Sequence, residues 1–87
     1  MTSQPALKLR LTLYTRRGCG LCDEMKHVVA EVMQEFAADL EEIDVDGDFD
    51  LRERFGVEVP VLFINGRKAF KYRATAEGLQ RWLRRAR

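Results

Sequence analysis

The first part of the chain alternates between apolar and polar residues and then changes its period. Leucine occupies every second position of residues 7–14 up to Leu13, which predicts a strand with one apolar face. From Leu21 onward the apolar residues recur at intervals of three and four, which predicts one amphipathic helix of more than four turns that reaches Leu40. We expect residues 1–6, which precede the strand, to be a flexible tail.

The middle of the chain predicts a short strand followed by a short helix. Residues 40–46 alternate again between apolar and acidic side chains, as a strand does. Asp48 is a candidate N-cap for a helix that buries Leu51 and Phe55. Gly56 suits a left-handed stop at the C-terminus of that helix.

The C-terminal part of the chain predicts a β-hairpin and a last helix. Two strand-like stretches, residues 61–64 and 67–72, are joined by Asn65-Gly66, the dipeptide most typical of a two-residue hairpin turn. Thr75 can cap the helix that follows. The positions that this helix is expected to bury are Leu79, Trp82, Leu83 and Ala86.

The predicted element order is therefore βαβαββα. A right-handed βαβ crossover makes the first two strands parallel, and the hairpin makes the last two antiparallel. The expected fold class is α/β, with a four-stranded mixed sheet flanked by three helices. We expect residues 7–87 to form a single domain.

Composition narrows the kinds of protein that this chain can be. Its 87 residues, 46% hydrophobic and 33% charged, match one small globular domain. A net charge of +1 creates no overall field for nucleic acid or an anionic membrane, and the longest apolar run, residues 60–64, is too short to span a bilayer. Residues 1–5 lack the features of an export signal, and two cysteines are too few for a disulfide-stapled secreted scaffold. We therefore expect a cytoplasmic monomer with no nucleic-acid or membrane partner.

The two cysteines lie three positions apart, where the first strand ends and the first helix begins. Here Cys19 meets unsatisfied N–H groups and the positive end of the helix dipole, which favour its thiolate, and Arg16 adds positive charge nearby. Cys22, one turn further into the helix, is expected to be more enclosed and less ionised. This asymmetry suits dithiol chemistry, in which Cys19 attacks a substrate disulfide and Cys22 then resolves the mixed disulfide.

The same cysteine spacing occurs in metal sites, which leaves other functions open. A closed zinc site needs four ligands, and the single histidine, His27, lies on a different face of the helix from Cys22. Metallochaperones of ferredoxin-like fold carry a similar pair but end in a strand, whereas residues 75–87 predict a helix. A further alternative is an iron–sulfur cluster carrier in which two protomers share a cluster through Cys19. We favour redox chemistry, with no metal ligand and no bound cofactor.

Two segments carry a resemblance to a known family. Residues 13–22, LYTRRGCGLC, and residues 54–66, RFGVEVPVLFING, resemble the glutaredoxin branch of the thioredoxin superfamily, and the resemblance covers about residues 9–83. It implies a thioredoxin-like fold, a cis Val59-Pro60 bond and thiol–disulfide oxidoreductase activity with Cys19 as the nucleophile. A cis bond at this position would turn the Val59 backbone toward Cys19 and offer a strand-like edge to an incoming peptide.

The same resemblance suggests a substrate surface around the cysteines. The expected substrate-binding residues are Arg16, Gly20, Leu21, Glu58, Val59, Pro60 and Arg73. The expected partners are a disulfide-containing protein or small molecule and, as the electron source, a reductase or glutathione.

Several positions depart from the patterns of the wider superfamily. Glutaredoxins usually carry Pro-Tyr between the cysteines, Thr before Val-Pro, and a Gly-Gly turn followed by Asp at the last helix. This chain has Gly20-Leu21, Glu58 and no such turn in residues 70–75. We therefore predict weak glutathione recognition, with Arg73 as a partial compensation. Thioredoxins carry a buried acid six residues before the first cysteine; here that residue is Leu13, so their proton relay is absent.

Overall fold

The structure is a computed structural model that describes residues 9–86. The expected tail at residues 1–6, the first two residues of the predicted first strand (Leu7 and Lys8) and Arg87 lie outside the described residues. The described elements, in chain order, are β1 (Leu9–Thr15), α1 (Gly20–Met33), β2 (Ala38–Asp44), α2 (Phe49–Phe55), β3 (Val61–Ile64), β4 (Arg67–Lys71) and α3 (Ala76–Ala86). A 3₁₀ turn at Val45–Gly47 joins β2 to α2. Within residues 9–86, every helix is too short or too polar to cross a membrane.

The strands form one mixed sheet in the order β2-β1-β3-β4. β1 and β2 are parallel, with Thr15 opposite Asp44, because α1 carries the chain back across the sheet between them. β1 and β3 are antiparallel, with Tyr14 opposite Val61, and the hairpin makes β3 and β4 antiparallel. The predicted α/β class, with a four-stranded mixed sheet and three helices, is confirmed.

Alternation along the strands builds an apolar cluster on each face of the sheet. On one face, Tyr14 of β1 stacks on Phe55 of α2 with ring centroids 4.6 Å apart, beside Val45 and Val61. On the other face, α1 and α3 cover a larger cluster of buried residues: Leu9, Leu11, Leu13, Met25, Val29, Val32, Phe36, Leu62, Ile64, Leu79 and Leu83. β1 lies between the two clusters, so the loop that follows it, which carries the cysteines, starts from a fixed point.

The first helix is shorter than its apolar spacing predicts. α1 ends at Met33, after 14 residues, and the chain turns into β2. Leu40, expected at the junction of the helix and the second strand, lies within β2 and is 40% exposed, whereas Phe36 belongs to the core from the turn. Val45 belongs to the 3₁₀ turn instead of the second strand. The cause is tertiary: residues 38–44 are extended because they pair with β1, and a local apolar spacing does not show where that pairing begins.

Gly56 ends α2, but the predicted left-handed conformation is wrong. Its φ of −55° and ψ of −34° are right-handed helical. Its N–H donates to the carbonyl oxygen of Arg52 at 2.8 Å, and a Cβ at Gly56 would lie 2.5 Å from that oxygen. Glycine is therefore required here by a close approach and not by a positive φ. Asp48 caps α2 as predicted, since its Oδ1 accepts the N–H of Leu51 at 3.1 Å.

The hairpin turn has the conformation that its dipeptide predicts. Asn65 and Gly66 have φ angles of 51° and 83°, the left-handed pair of a type I′ turn. β4 ends at Lys71, and Tyr72, expected in the strand, follows it with a φ of 69°. The chain leaves the sheet at Tyr72, whose N–H donates to the carbonyl oxygen of Pro60 at 2.8 Å.

The last helix is also capped and buried as the sequence predicts. Thr75 Oγ1 accepts the N–H of Gly78 at 3.0 Å, which satisfies one of the free donors at the start of α3. Leu79 and Leu83 are fully buried, and Trp82 packs against the core with part of its surface exposed.

Candidate functional site

The cysteine pair lies at the N-terminus of α1 and is joined by a disulfide, with the two Cα atoms 5.2 Å apart. Cys19 is the N-cap of the helix, and its Sγ accepts the N–H of Cys22 at 3.1 Å. Cys19 is half-buried, whereas Cys22 is 1% exposed. The site therefore contains one partly exposed cysteine and one enclosed cysteine.

Arg16 ties the loop before the cysteines to two other segments. Its Nε donates to Asp46 Oδ2 at 3.0 Å, its Nη2 donates to Oδ1 at 3.0 Å, and its Nη1 donates to the carbonyl oxygen of Gly56 at 2.9 Å. The hydrogen bonds with Asp46 raise the pKa of Arg16 and lower the pKa of Asp46. Arg16, predicted as a substrate contact, is thus already engaged inside the protein.

The Val59-Pro60 peptide bond is cis, as predicted. Because Tyr14 of β1 lies opposite Val61 of β3, the loop at Val59-Pro60 and the cysteine loop lie at the same edge of the sheet. The N–H of Val59 donates to the carbonyl oxygen of Phe55 at 3.0 Å. A peptide strand that pairs at Val59 would therefore use the Val59 carbonyl or displace this internal hydrogen bond.

The two other charged residues of the predicted substrate surface each have an ionic partner. Lys68 Nζ donates to Glu58 Oε1 at 2.7 Å, and this hydrogen bond lowers the pKa of Glu58. Arg73 Nη1 lies 3.6 Å from Glu24 Oε1, and both of these side chains are mostly exposed. The first pair is a direct hydrogen bond and the second a loose surface pair, so Arg73 is freer than Glu58 to meet a ligand.

Two clefts lie against different faces of the first turns of α1. The lining of the first, with a volume of about 310 Å³, includes Cys22 and Arg16. The lining of the second, of about 200 Å³, includes Glu24, Tyr72 and Arg73. Gly20 and Leu21, the two residues between the cysteines that were predicted to bind substrate, lie in the first helical turn. Gly20 is exposed and Leu21 is half-buried. Within residues 9–86, no three His, Cys, Asp or Glu side chains are grouped as a metal ion would require.

The profile of the Glutaredoxin-like domain (DUF836) matches residues 10–84 of this chain. The chain belongs to this family. The glutaredoxin-like domain is also similar to Uncharacterized protein Rv0508 of Mycobacterium tuberculosis, with 36% identity over 64 residues, 68% of this chain and 66% of that protein. The match therefore spans slightly less than two thirds of the length of this relative.

Solved structures share the fold of the glutaredoxin-like domain. Protein XcR50 from X. campestris superposes with a TM-score of 0.75 and 33% identity, covering 88% of this chain and 99% of that chain. A mutant thioredoxin from Halobacterium salinarum superposes with a TM-score of 0.65 and 25% identity, covering 90% of this chain and 74% of that chain. These likenesses confirm the thioredoxin-like fold that the sequence resemblance implied.

We expect the glutaredoxin-like domain to lose stability in acid as Asp46 and Glu58 take up protons. Arg16 and Lys68 hold the pKa values of these carboxyls below their ordinary values of 3.8 and 4.5. A group whose pKa is lowered by folding contributes stability above its unfolded pKa and loses it as the pH falls through the folded pKa, here below about pH 4. Thermal unfolding of the wild type and Asp46→Asn across this range measures the effect. At neutral pH the variant should unfold at a lower temperature than the wild type, and its unfolding temperature should fall less as the pH is lowered. The same fall in unfolding temperature for both proteins would contradict the expectation.

Sequence reasoning missed the internal partners of its predicted site residues. One of them had a signal: the carboxyl ends of adjacent parallel strands meet at one edge of a sheet, and Arg16 follows β1 just as Asp46 follows β2. The partnership of Lys68 with Glu58 had none, because it depends on how the hairpin of the glutaredoxin-like domain folds back beside the preceding loop.

Proposed function

We propose that this protein is a dithiol thiol–disulfide oxidoreductase that reduces disulfides of proteins or small molecules. The observation that carries the proposal is the unequal exposure of the two cysteines at the start of α1: Cys19 is half-buried and Cys22 is 1% exposed. Membership of the glutaredoxin-like domain family supports the same chemistry. In this proposal Cys19 is the nucleophile and Cys22 is the resolving thiol.

The proposed reaction takes two exchange steps. The Cys19 thiolate attacks one sulfur of the substrate disulfide, a mixed disulfide forms, and the other substrate sulfur leaves as a thiolate that takes up a proton. Cys22 then gives up its proton and attacks Cys19 Sγ, the intramolecular disulfide forms, and the substrate leaves as its second thiol. Two electrons and two protons pass from the protein dithiol to the substrate.

The direct test of this function is reduction of a disulfide-bonded peptide by the reduced protein under anaerobic conditions. We expect one peptide disulfide to be reduced for each protein molecule, with formation of the Cys19–Cys22 disulfide seen as a loss of the mass of two hydrogen atoms from the protein. A variant with both cysteines replaced by serine is the control. Failure of the wild type to release peptide thiols would overturn the proposal.

In the reduced protein, Cys19 is expected to titrate with a pKa below the ~8.5 of a free cysteine. The N–H of Cys22 points at Cys19 Sγ at 3.1 Å, and the helix dipole adds to its effect. Arg16 is paired with Asp46, so the helix terminus is the main expected cause. The thiolate absorbance of Cys22→Ser as a function of pH measures this pKa. A midpoint at or above the value of free cysteine would show that the helix terminus has no such effect.

We expect weak turnover with glutathione. The Glu58 carboxylate precedes the Val59 edge, is ionised at neutral pH, and is expected to repel the glutathione carboxylates. Glu58→Thr, which also frees Lys68, should raise the rate by roughly threefold to tenfold. The assay supplies a glutathione mixed disulfide, glutathione and glutathione reductase, with Glu77→Gln on α3 as the control. Wild-type rates equal to those of ordinary dithiol glutaredoxins would contradict this expectation.

The partners and the cellular compartment that we propose follow from the same dithiol chemistry. The partners are a disulfide-bonded protein or small molecule and an electron donor, either a flavoenzyme reductase or glutathione. We place the reaction in the cytoplasm because both cysteines belong to one reactive pair, which a reducing compartment returns to the dithiol form. The protein acts as a monomer without a bound cofactor in this proposal.

A further inference from the structure

The enclosed cysteine of the site, Cys22, is one of the residues that line a polar cleft. The cleft of about 310 Å³ is lined by Cys22 together with Glu42 of β2 and Lys26 of α1. This volume is enough for several water molecules, each of which takes about 30 Å³ in the liquid. Cys22, which is 1% exposed overall, therefore borders a space where protons can move.

Glu42 is held in this cleft by two other elements. Its Oε2 accepts the hydroxyl of Thr15 at 3.3 Å, and Thr15, at the end of β1, is a buried polar residue with 5% exposure. Lys26 Nζ lies 3.0 Å from the same oxygen, and this hydrogen bond raises the pKa of Lys26. The carboxylate of Glu42 is thus oriented from both β1 and α1, although part of its side chain remains open to solvent.

The second exchange step needs a proton acceptor near Cys22. Burial disfavours the charged form of a thiol, so Cys22 gives up its proton only as it attacks the mixed disulfide. The position that holds an acid in thioredoxins is occupied here by Leu13, which is fully buried and cannot accept a proton. In the parallel pairing of β1 and β2, Glu42 lies opposite Leu13. The neighbouring strand β2 therefore places the Glu42 carboxylate beside the position on β1 where thioredoxins have an acid and this chain has Leu13.

We propose that Glu42 accepts the proton of Cys22, through water in the cleft, as Cys22 releases the substrate. This inference rests on the proposed function. In the step, the Cys22 S–H bond breaks and its proton passes to the Glu42 carboxylate. The bond between Cys22 and Cys19 sulfurs forms as the bond between Cys19 and the substrate sulfur breaks. The substrate leaves as a thiolate, and Glu42 returns the proton to it or to solvent.

The other charged groups of the cleft are less suited to this role. Asp44 Oδ1 accepts the N–H of Asp46 at 2.9 Å, and Arg16 is bound to Asp46. The Asp23 side chain is 72% exposed, against 42% for Glu42, and its contact with Lys26 Nζ is 3.8 Å long, so it is less firmly oriented than Glu42. Arg17, the remaining charged residue of the lining, is a cation and cannot accept a proton.

The test follows the two exchange steps separately with 5,5′-dithiobis(2-nitrobenzoate). Attack by Cys19 releases one thionitrobenzoate at a rate that depends on reagent concentration, and attack by Cys22 releases the second at a rate that does not. General bases typically contribute about 10²- to 10⁴-fold, and because a thiol ionises easily we expect Glu42→Gln to slow the second release about tenfold at neutral pH. The first release should stay within about twofold of the wild type, since Cys19 needs no base once it is a thiolate.

The pH profile separates a proton acceptor from a structural role. The deficit of Glu42→Gln should shrink as the pH rises toward about 9 to 10, where a thiol ionises without help. Glu41→Gln is the matched control, because Glu41 is exposed like Glu42 but, by the alternation along β2, lies on the other face of the strand. The inference is overturned if Glu42→Gln releases like the wild type, if its deficit is the same at every pH, or if Asp44→Asn shows the deficit instead. If the wild type gives no first release, the proposed function itself fails, and this inference fails with it.

Discussion

Replacing Cys22 by serine is expected to leave a protein that attacks disulfides but cannot release them. Cys19 is the N-cap of α1 and half-buried, so its sulfur can reach a substrate, and the N–H that stabilises it comes from the backbone and survives the substitution. Without the second thiol, the mixed disulfide has no intramolecular route to resolution. The variant should therefore accumulate as covalent adducts, which non-reducing gels of acid-quenched lysate reveal, while its turnover of a peptide disulfide falls at least about 10²-fold.

The matched variant is Cys19→Ser, which keeps Cys22 as the single thiol. Cys22 is 1% exposed, and its sulfur lacks an open line to a substrate disulfide, so attack should be lost and no adducts should form. Adducts on Cys19→Ser with none on Cys22→Ser would invert the roles of the two cysteines. They would also remove the basis for a proton acceptor beside Cys22.

Leu13→Ala is expected to remove a large part of the free energy of unfolding. Leu13 lies on β1 between its two neighbouring strands and is fully buried, so the shorter side chain leaves a cavity in the main apolar cluster. Such substitutions cost about 2–5 kcal/mol. A chain of 87 residues has a total of roughly 4–13 kcal/mol, so the substitution should remove a substantial fraction of it. Urea unfolding followed by circular dichroism measures the loss.

Leu40→Ala provides the control for this effect. Leu40 is also a strand leucine and lies on β2, but it is 40% exposed and is absent from both buried clusters. Its truncation should change the free energy of unfolding by less than about 1 kcal/mol. A cost at Leu40 equal to the cost at Leu13 would mean that β2 is covered in solution, contrary to the structure.

Local pattern was sufficient for most of the elements. The leucine alternation of β1, the Asn65-Gly66 turn and the caps at Asp48 and Thr75 are short-range features, because the residues that determine each of them are adjacent or one turn apart. The position of Cys19 at a helix N-terminus followed from the same kind of reasoning. The location of the cysteine pair at the start of a helix could therefore be predicted from the sequence alone.

The end of the first helix is set by tertiary structure and not by the local sequence pattern. The apolar spacing continues through Phe36 to Leu40 as if the helix did too, yet the chain leaves the helix after Met33 so that residues 38–44 can pair with β1. The hydrogen bonds and buried surface gained by that pairing come from residues distant in sequence, and they outweigh a local helical preference. Likewise Gly56 is required by a carbonyl four residues earlier, and not by the left-handed stop that its type suggests.

The sequence by itself determined the central feature of the candidate site: two thiols at the start of a helix, close enough to form a disulfide. Only the tertiary structure decided what surrounds them. Arg16, expected to meet substrate, is bound to Asp46 and Gly56, and Glu42 of the neighbouring strand comes to line the cleft beside Cys22. The physical reason is that oppositely charged side chains form ion pairs where the sheet places them next to each other. Which side chains become neighbours depends on the order and register of the strands, and these are set by the whole chain.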